Sequence, residues 1–309
     1  MRRIRTYNEL GPAGEEVPRQ VEAQGRRLRE RLVRVRRIVA VGSGKGGVGK
    51  SAVAANLAAA LAERGERVGA LDADVGGPSL ARMLGVGPQP LQVTREGVLP
   101  AQGIRGTRVM SSDLLVQEGE ALRWGAAATE HLWQSLLETG MLREFLSDVE
   151  WGALDWLVID LPPGSDKIAR LGALQLADLV LLVTTPSVAS SHVVERSAAA
   201  ARATGAAVGI VANMTHHVCR ECGAHQPLFE ADTVADLARD TGIPVLAGIP
   251  FDPRLATLTD AGTPIVLEPA PSPAADALRN LALRLLAAVP PRTTLASESS
   301  SAPAPAPES

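Results

Sequence analysis

Long hydrophobic runs are absent from this 309-residue sequence, in which no stretch of about 18 or more residues is both apolar and uncharged. A membrane-spanning helix requires such a stretch. The chain also opens Met1-Arg2-Arg3 without the apolar segment of a secretory signal. The sequence therefore predicts neither a membrane span nor a signal peptide, and we expect a cytoplasmic protein.

Aromatic residues are scarce as well, at 3% of the chain, whereas hydrophobic residues make up 46%. A chain of this length can bury a sizeable core, and this one must build it from Ala, Leu, Val and Ile. These residues predict the near-continuous apolar strands of a buried parallel sheet.

Cysteine is limited to Cys219 and Cys222, which form a single Cys-x-x-Cys pair. In a cytosolic chain, a lone and closely spaced pair is typical of metal binding or redox chemistry rather than of a structural disulfide. The pair is therefore a candidate metal site.

Positive charge is concentrated near the amino terminus, although the net charge of the whole chain is only −3. Residues 1–37 carry 11 Arg against 5 Glu, a balance of +6, which leaves −9 for the remainder. Such an arm can touch nucleic acid, acidic lipid or its own acidic domain. We interpret it as a helix that docks on its own domain, and we expect neither a nucleic-acid nor a membrane partner.

The remainder of the chain alternates between short apolar runs and longer stretches rich in Ala and Leu. We expect strands at Ile38–Ser43, Arg67–Leu71, Arg108–Ser111, Trp156–Leu161, Leu179–Thr184, Ala207–Val211 and Val245–Ile249. We expect helices at Ser51–Arg64, Glu130–Leu146, His192–Thr204, Ala231–Asp240 and Ala274–Val289. This alternation predicts an α/β fold with a doubly wound, mostly parallel sheet and helices on both faces. The domain is expected over residues 38–289, with the Cys-x-x-Cys pair in an insert near 214–226, and it is followed by a disordered tail at 290–309 that is rich in Ser, Ala and Pro.

A glycine-rich segment fits the pattern G-x-x-x-x-G-K-[ST], directly after a predicted strand and directly before a predicted helix. Its residues are Gly44, Lys45, Gly46, Gly47, Val48, Gly49, Lys50 and Ser51. The glycines let backbone N–H groups point at phosphate oxygens, and the helix adds its positive amino-terminal end. Lys50 is predicted to neutralise the β- and γ-phosphates, and the Ser51 hydroxyl to bind Mg²⁺. The segment is therefore predicted to bind a nucleoside triphosphate.

Three aspartates follow predicted strands: Asp72 and Asp74 close one, and Asp160 closes another. Ligands of open α/β sheets bind beyond the carboxyl ends of the strands, so these carboxylates are expected to meet the phosphates and the magnesium ion. The simpler interpretation is that each aspartate caps the helix that follows it.

Several motifs together resemble one family. The second lysine of the loop, Lys45, is similar to that of the deviant Walker A loop of the ParA, MinD, ArsA and nitrogenase iron proteins, in the SIMIBI class of P-loop NTPases. Within that group, the chain resembles the Mrp/ApbC iron-sulfur carrier proteins in four further segments. They are 71–79 (LDADVGGPS), 145–164 (FLSDVEWGALDWLVIDLPPG), 212–214 (ANM) and 219–223 (CRECG). The resemblance covers residues 38–288.

The resemblance implies a homodimer that encloses two ATP molecules and hydrolyses them, in which Lys45 reaches the partner's nucleotide as an arginine finger does. It also implies roles for Asp74 in placing the attacking water, for Asp72 and Asp160 at Mg²⁺, for Gly164 in sensing the γ-phosphate, and for Asn213 at the adenine. Phe251–Pro253 are expected at the same base pocket. Recipient apoproteins and scaffold proteins are the implied partners.

For the cysteines, the chemistry leaves a choice. A 4Fe-4S cluster takes four thiolates, and a two-fold dimer presents the Cys219/Cys222 pair twice, so a cluster bridging two subunits is the favoured interpretation. The alternatives are zinc, completed within one subunit by His216, His217 or His225, and an unmetallated redox pair.

Other functions remain open at this point. The first is a ParA- or MinD-like positioning ATPase, in which the cysteines have no role. The second is a redox ATPase akin to nitrogenase iron protein, whose ligating cysteines are far apart in sequence. The third is a nucleotide-gated, zinc-binding scaffold with little hydrolysis, because residues 162–167 (PPGSDK) depart from the family pattern PPGTGD.

Overall fold

A computed structural model describes residues 16–115, 130–219, 221–229 and 233–292 of the chain. Within these ranges, nine strands form one sheet in the order β3-β4-β2-β5-β1-β6-β7-β8, and β9 pairs with β7. Pairing is parallel except between β3 and β4 and between β7 and β8. The predicted α/β fold class is confirmed.

The strands have the following bounds: β1 Ile38–Gly42, β2 Val68–Asp72, β3 Ala101–Gln102, β4 Arg108–Met110, β5 Trp156–Asp160, β6 Leu179–Thr184, β7 Ala207–Val218, β8 His225–Pro227 and β9 Val245–Phe251. The helices are α1 Glu16–Leu32, α2 Lys50–Glu63, α3 Leu80–Met83, α4 Glu130–Asp148, α5 Ser165–Ala173, α6 Val188–Arg202, α7 Thr233–Thr241, α8 Arg254–Asp260 and α9 Pro273–Ala288. The described ranges also contain short 3₁₀ turns at Ile104–Gly106, Ser112–Leu115 and Ile265–Leu267.

Helices cover both faces of the sheet, and the strands alternate between two apolar cores. Val39 and Val41 of β1 pack with α2 and α9, whereas Ile38 and Ala40 pack with residues of α4, α5 and α6. Successive side chains of a strand point to opposite faces, so one continuous apolar run supplies both layers. This is the arrangement expected of a buried parallel sheet.

Helix α2 is buried over nearly its whole length, from Lys50 to Leu61. Its sequence is mostly Ala with single Leu and Val residues, and a helix that is apolar on all sides belongs in the interior. Small side chains let the helix lie close to the sheet. The start of α2 is thereby fixed at the carboxyl end of β1.

Strand β7 differs most from the sequence-based expectation. We expected Ala207–Val211, but the strand continues to Val218 and then turns back into β8. The polar residues after Ala212 hide this extension, because they lack the apolar run by which strands are recognised. The Cys-x-x-Cys segment, predicted as an insert near 214–226, is therefore a β-hairpin that continues a core strand.

The Arg-rich arm contacts the domain where it is described. Leu32 and Val35 are buried, Arg27 lies 3.0 Å from Asp148 in an ion pair, and Arg31 donates to the carbonyl of Glu96. Residues 1–15 lie outside the described part of the chain.

At the carboxyl-terminal end, Arg292 of the expected disordered tail is held against the domain. The Arg292 guanidinium lies 2.7 Å from the Asp178 carboxylate, and the Arg292 N–H donates to the Arg36 carbonyl at 2.7 Å. The rest of the expected tail, residues 293–309, lies outside the described residues.

No helix in the described ranges combines the length and apolar content that crossing a bilayer requires.

Candidate nucleotide site and cysteine turn

The glycine-rich segment forms a loop between the end of β1 and the start of α2. Gly47 and Gly49 have φ angles of 78° and 80°, a region that residues with a Cβ rarely adopt. At Gly49 there is a second requirement, since an added Cβ would lie 2.3 Å from Nδ2 of Asn213. Gly49 is therefore required both by the backbone conformation and by the close approach of β7.

Lys50, the first residue of α2, forms a buried ion pair with Asp160 at the end of β5. The distance from Lys50 Nζ to Asp160 Oδ1 is 2.6 Å, and the two side chains are 7% and 0% exposed. Nζ also lies 3.2 Å from the Ser51 hydroxyl. Burial raises the pKa of Asp160, and the Lys50 charge opposes that shift. Two buried charges are tolerable here because each compensates the other.

Asp72, at the end of β2, lies directly beside Asp160 in the sheet register. Its carboxylate accepts backbone N–H bonds from Asp74 at 3.0 Å, Ser79 at 2.8 Å and Leu80 at 2.9 Å. Burial, followed by the charge of Asp160, raises the pKa of Asp72 to about 7. Besides facing the site, this aspartate holds the 72–80 loop in place.

The donor set beside the loop fits a magnesium ion. Asp160 Oδ2 is buried without a hydrogen-bond partner, and a carboxylate oxygen left unpaired in the interior is costly. The Ser51 hydroxyl and the neighbouring Asp72 carboxylate add oxygen ligands of the kind that Mg²⁺ prefers. The cation would compensate the buried negative charge.

Four other predicted site residues surround the loop. Gly164 has a φ angle of 122° and donates its N–H to the Ser43 carbonyl at 2.8 Å. Asp74 is half-buried, and its Oδ1 accepts from the Gly77 N–H at 3.2 Å. Asn213 is buried, and its Nδ2 donates to the Val48 carbonyl at 2.8 Å.

Lys45, the fourth, is half-buried, and its Nζ lies 3.5 Å from the hydroxyl of Ser187, which follows β6. The fold thus brings residues at the ends of β2, β5 and β6, together with Asn213 of β7, to the loop that follows β1. Phe251–Pro253, expected at the base pocket, line a cavity of about 340 Å³ between the β7 and β9 ends and the start of α9.

The cysteines lie in the turn between β7 and β8. The Cys219 N–H donates to the Ala224 carbonyl, and the Gly223 N–H donates to the Cys219 carbonyl, both at 2.9 Å. Cys219 is half-buried and Cys222 is exposed. Backbone N–H groups of Cys222 and Glu221, with the Cys222 thiol, lower the pKa of Cys219. The turn therefore favours thiolate at Cys219, the form that binds metals.

The neighbouring histidines are divided between the two faces of the hairpin. His216 and His225 stack on each other, with ring centroids 4.7 Å apart, whereas His217 lines the 340 Å³ cavity together with Cys219. Adjacent strand residues point to opposite faces. Within the described residues, no group of three or more His, Cys, Asp or Glu side chains is placed to hold a metal ion.

Some contacts of the site gave no readable signal in the sequence. Ser43 donates to the Lys45 carbonyl at 2.9 Å, and Ser111 donates to Asp113 at 2.8 Å while lying 3.4 Å from Asp72. A serine at a strand end is too common to single out. Only the position of Ser43, directly before the glycine-rich loop, could have indicated its role.

These features define the class of protein. A parallel sheet with this loop between β1 and α2 is the fold of P-loop NTPases. The cell division ATPase MinD of Pyrococcus furiosus has the same fold, with a TM-score of 0.55 at 24% identity over 81% of this chain and 98% of that one. A nucleotide-binding protein of Archaeoglobus fulgidus in complex with ADP is more similar. Its TM-score is 0.67 at 38% identity, over 79% of this chain and 94% of that one.

The family model ParA, described as NUBPL iron-transfer P-loop NTPase, matches residues 34–286, and the chain belongs to this family. It is 35% identical to an iron-sulfur cluster carrier protein of Saccharolobus solfataricus, over 87% of this chain and 90% of the relative. It is also 36% identical to the human cytosolic Fe-S cluster assembly factor NUBP2, over 84% of this chain and 95% of the relative. The expected resemblance to iron-sulfur carriers is confirmed.

Proposed function

We propose that the chain is an ATP-dependent iron-sulfur cluster carrier of the cytoplasm. It binds and hydrolyses Mg·ATP at the loop 44–51, holds a 4Fe-4S cluster between the cysteine turns of two identical subunits, and delivers the cluster to recipient apoproteins. The observation that carries this proposal is the placement of Cys219 and Cys222 in a solvent-accessible turn that continues a core strand next to the nucleotide loop.

The nucleotide half of the proposal rests on the buried charges around the loop. Lys50 and the backbone N–H groups would hold the phosphates, and Ser51, Asp72 and Asp160 would hold Mg²⁺, which would neutralise charge on the phosphates during hydrolysis. Lys50 pairs with Asp160 at 2.6 Å. When Mg·ATP binds, the γ-phosphate would become the partner of Lys50, and the magnesium ion would become the partner of Asp160.

Hydrolysis is assigned to Lys45 and Asp74. Lys45 lies on the loop with no carboxylate ion pair among the described contacts, and its neighbour is the Ser187 hydroxyl. It would therefore be available to reach a nucleotide across a dimer. Asp74 lies at the mouth of the site and would orient the attacking water, while Gly164, bonded to Ser43, would report the γ-phosphate to α5.

The cluster half rests on the number of ligands. Each turn offers two thiols, and a 4Fe-4S cluster takes four. An isologous dimer brings two copies of one surface together, so a homodimer completes the set. Of the histidines considered for zinc, only His217 shares a cavity with Cys219.

The test is anaerobic reconstitution of the full chain with iron and sulfide, with and without Mg·ATP. We expect about four irons per dimer and a visible cluster chromophore. Cys219→Ala and Cys222→Ala should each abolish iron uptake and leave nucleotide binding unchanged, because the turn lies outside the loop.

Bound zinc without iron uptake, or a chain that stays monomeric with both ATP and iron present, would refute the proposal. Sedimentation velocity measures the oligomeric state, and metal analysis of the same sample measures iron and zinc. Transfer of the cluster to a recipient apoprotein is then followed by the recipient's gain of chromophore.

A further inference from the structure

One residue of β7 has a conformation unlike that of the rest of the strand. Met214 has a φ angle of 58°, in the left-handed region that residues with a Cβ avoid. The other described non-glycine residues with positive φ, Arg105 and Gln175, lie at turns, in a 3₁₀ turn and just after α5. Of these three residues, Met214 is the one that lies inside a strand. Backbone strain of this kind tends to mark functional positions.

At this residue, β7 loses its register with its neighbour. Asn213 pairs with Ile249 of β9, and the next pair is His217 with Phe251. Between these pairs β7 advances four residues and β9 two. The two extra residues form a bulge, a feature that redirects a strand. A hydrogen bond of 3.3 Å from the Thr215 hydroxyl to the Ile249 carbonyl ties the bulge to β9.

On the amino-terminal side of the bulge, the strand is locked to the nucleotide loop. Asn213 donates to the Val48 carbonyl at 2.8 Å, and the methyl group of Met214 lies 3.5 Å from the position that a Cβ on Gly49 would take. A displacement of the loop therefore changes contacts made by both Asn213 and Met214. Asn213 is hydrogen-bonded to the loop, and the Met214 side chain lies over Gly49, so a movement of the loop is expected to be felt by both.

On the carboxyl-terminal side, the strand carries the cysteines. His216–Val218 pair with β8, and Cys219 follows immediately. This part is half-buried or exposed, whereas Gly209–Asn213 are buried. The hairpin can therefore change its angle at the bulge without disturbing the core.

We infer that Met214 is a positioning residue that couples the nucleotide loop to the cysteine turn. Its side chain lies over Gly49 of the loop, and its left-handed backbone sets the direction of the hairpin. Nucleotide binding at the loop then changes the orientation of Cys219 and Cys222. This inference deepens the proposed function, on which it rests, by naming how its two sites are connected.

The experiment uses the full chain, reduced and metal-free, and measures the rate at which a chromogenic aromatic disulfide reagent modifies its thiols. Only Cys219 and Cys222 can react, so the whole signal comes from the turn. The rate is measured without nucleotide and with a saturating, non-hydrolysable Mg·ATP analogue. In the wild type we expect the analogue to change the rate about fivefold or more, the lower end of typical coupling.

Met214→Gly removes both the strain and the side chain, and it should bring the ratio of the two rates close to one while the analogue still binds. Met214→Leu keeps an apolar side chain over Gly49 and should retain the ratio. Gln175→Gly relieves the same kind of backbone strain away from both sites and is the matched control, with the wild-type ratio expected.

A wild-type ratio in Met214→Gly, or a ratio of one in wild-type protein saturated with the analogue, overturns the inference. Loss of the ratio in Gln175→Gly also overturns it, because relief of strain anywhere would then suffice. Iron uptake is measured separately. Wild-type protein that takes up no iron refutes the carrier function, and the thiol rates still decide for or against Met214.

Discussion

The nucleotide loop and the cysteine turn are built in opposite ways. The principal charges at the loop, Lys50 and Asp160, are 7% and 0% exposed and compensate each other within one chain. The turn projects from the end of β7, with Cys219 half-buried and Cys222 exposed. Buried charges require compensating groups within the fold, whereas thiols at the surface remain accessible to a ligand or a partner from outside. The nucleotide loop therefore has its buried charges compensated within one chain, whereas the cysteine turn presents thiols that are accessible from outside the fold.

The largest effect on this comparison is expected from Lys50→Ala. Nucleotide affinity should fall by about 100-fold or more, since the proposed charge-assisted contact to the phosphates is lost and only the backbone N–H groups and the magnesium ligands remain. The measurement is titration with a fluorescent ATP analogue. Iron uptake at the turn should persist, because the cysteines lie outside the loop.

Lys45→Ala is the matched control for that variant. Lys45 lies on the same loop but pairs with no carboxylate among the described contacts, so affinity should be retained while ATP hydrolysis falls by about 10³-fold or more, as for a lost arginine finger. Equal loss of affinity in both variants would contradict the separate roles.

Thermal unfolding checks that Lys50→Ala is still folded. We expect it to fold, because Asp160 can take up a proton when its Lys50 partner is lost, since burial already raises the pKa of Asp160.

A moderate effect is expected from pH on the nucleotide-free protein. The pKa of Asp72 is about 7 in the folded chain against an ordinary value of 3.8, so the folded state binds more protons than the unfolded state between these two pH values. Stability should therefore fall as the pH rises through this window, by up to about 1.4 kcal/mol per pH unit from this group. Melting temperatures of wild type and Asp72→Asn between about pH 5 and pH 8 measure it.

The variant should show the shallower pH dependence, and Mg·ATP should flatten the wild-type profile because the cation favours the ionised carboxylates. Parallel profiles for the two proteins would show that Asp72 does not titrate in this range.

The smallest effect is expected from His216→Ala. His216 and His225 stack on each other, and loss of such a cross-strand contact costs about 0.2–1 kcal/mol. Iron content should remain at the wild-type level, because neither ring is needed as a ligand when four thiolates are available. Metal analysis after reconstitution measures the iron content. Loss of iron in the variant, or zinc that binds to the wild type and not to the variant, would favour a metal site within one subunit.

Much of the fold was readable from local patterns. The strand at Leu179–Thr184 was predicted with its observed bounds, and α2 was displaced by only one residue, since apolar runs and Ala-rich stretches specify these elements locally. The fold class followed from their alternation. The extension of β7 to Val218 was missed because pairing with β8 and β9, rather than its own polar residues, keeps it extended.

The residues of the site likewise divide into those that local sequence predicts and those that depend on tertiary contacts. The loop residues were readable because eight consecutive positions carry the chemistry. Ser187 was not, because its contact with Lys45 joins residues 142 positions apart. Nor was Met214, whose left-handed backbone depends on the bulge against β9 and has no signature in an isolated strand.

By itself, the sequence determined the phosphate-binding loop and the Cys-x-x-Cys pair, since glycine freedom, a helix start and two nearby thiols are properties of short segments. Only the tertiary structure decided that Lys50 meets Asp160, that Asn213 lies on Val48, and that the strand bearing Asn213 continues to Cys219. Such contacts join residues far apart in the chain, and they form only where the packing of the whole sheet brings those residues together.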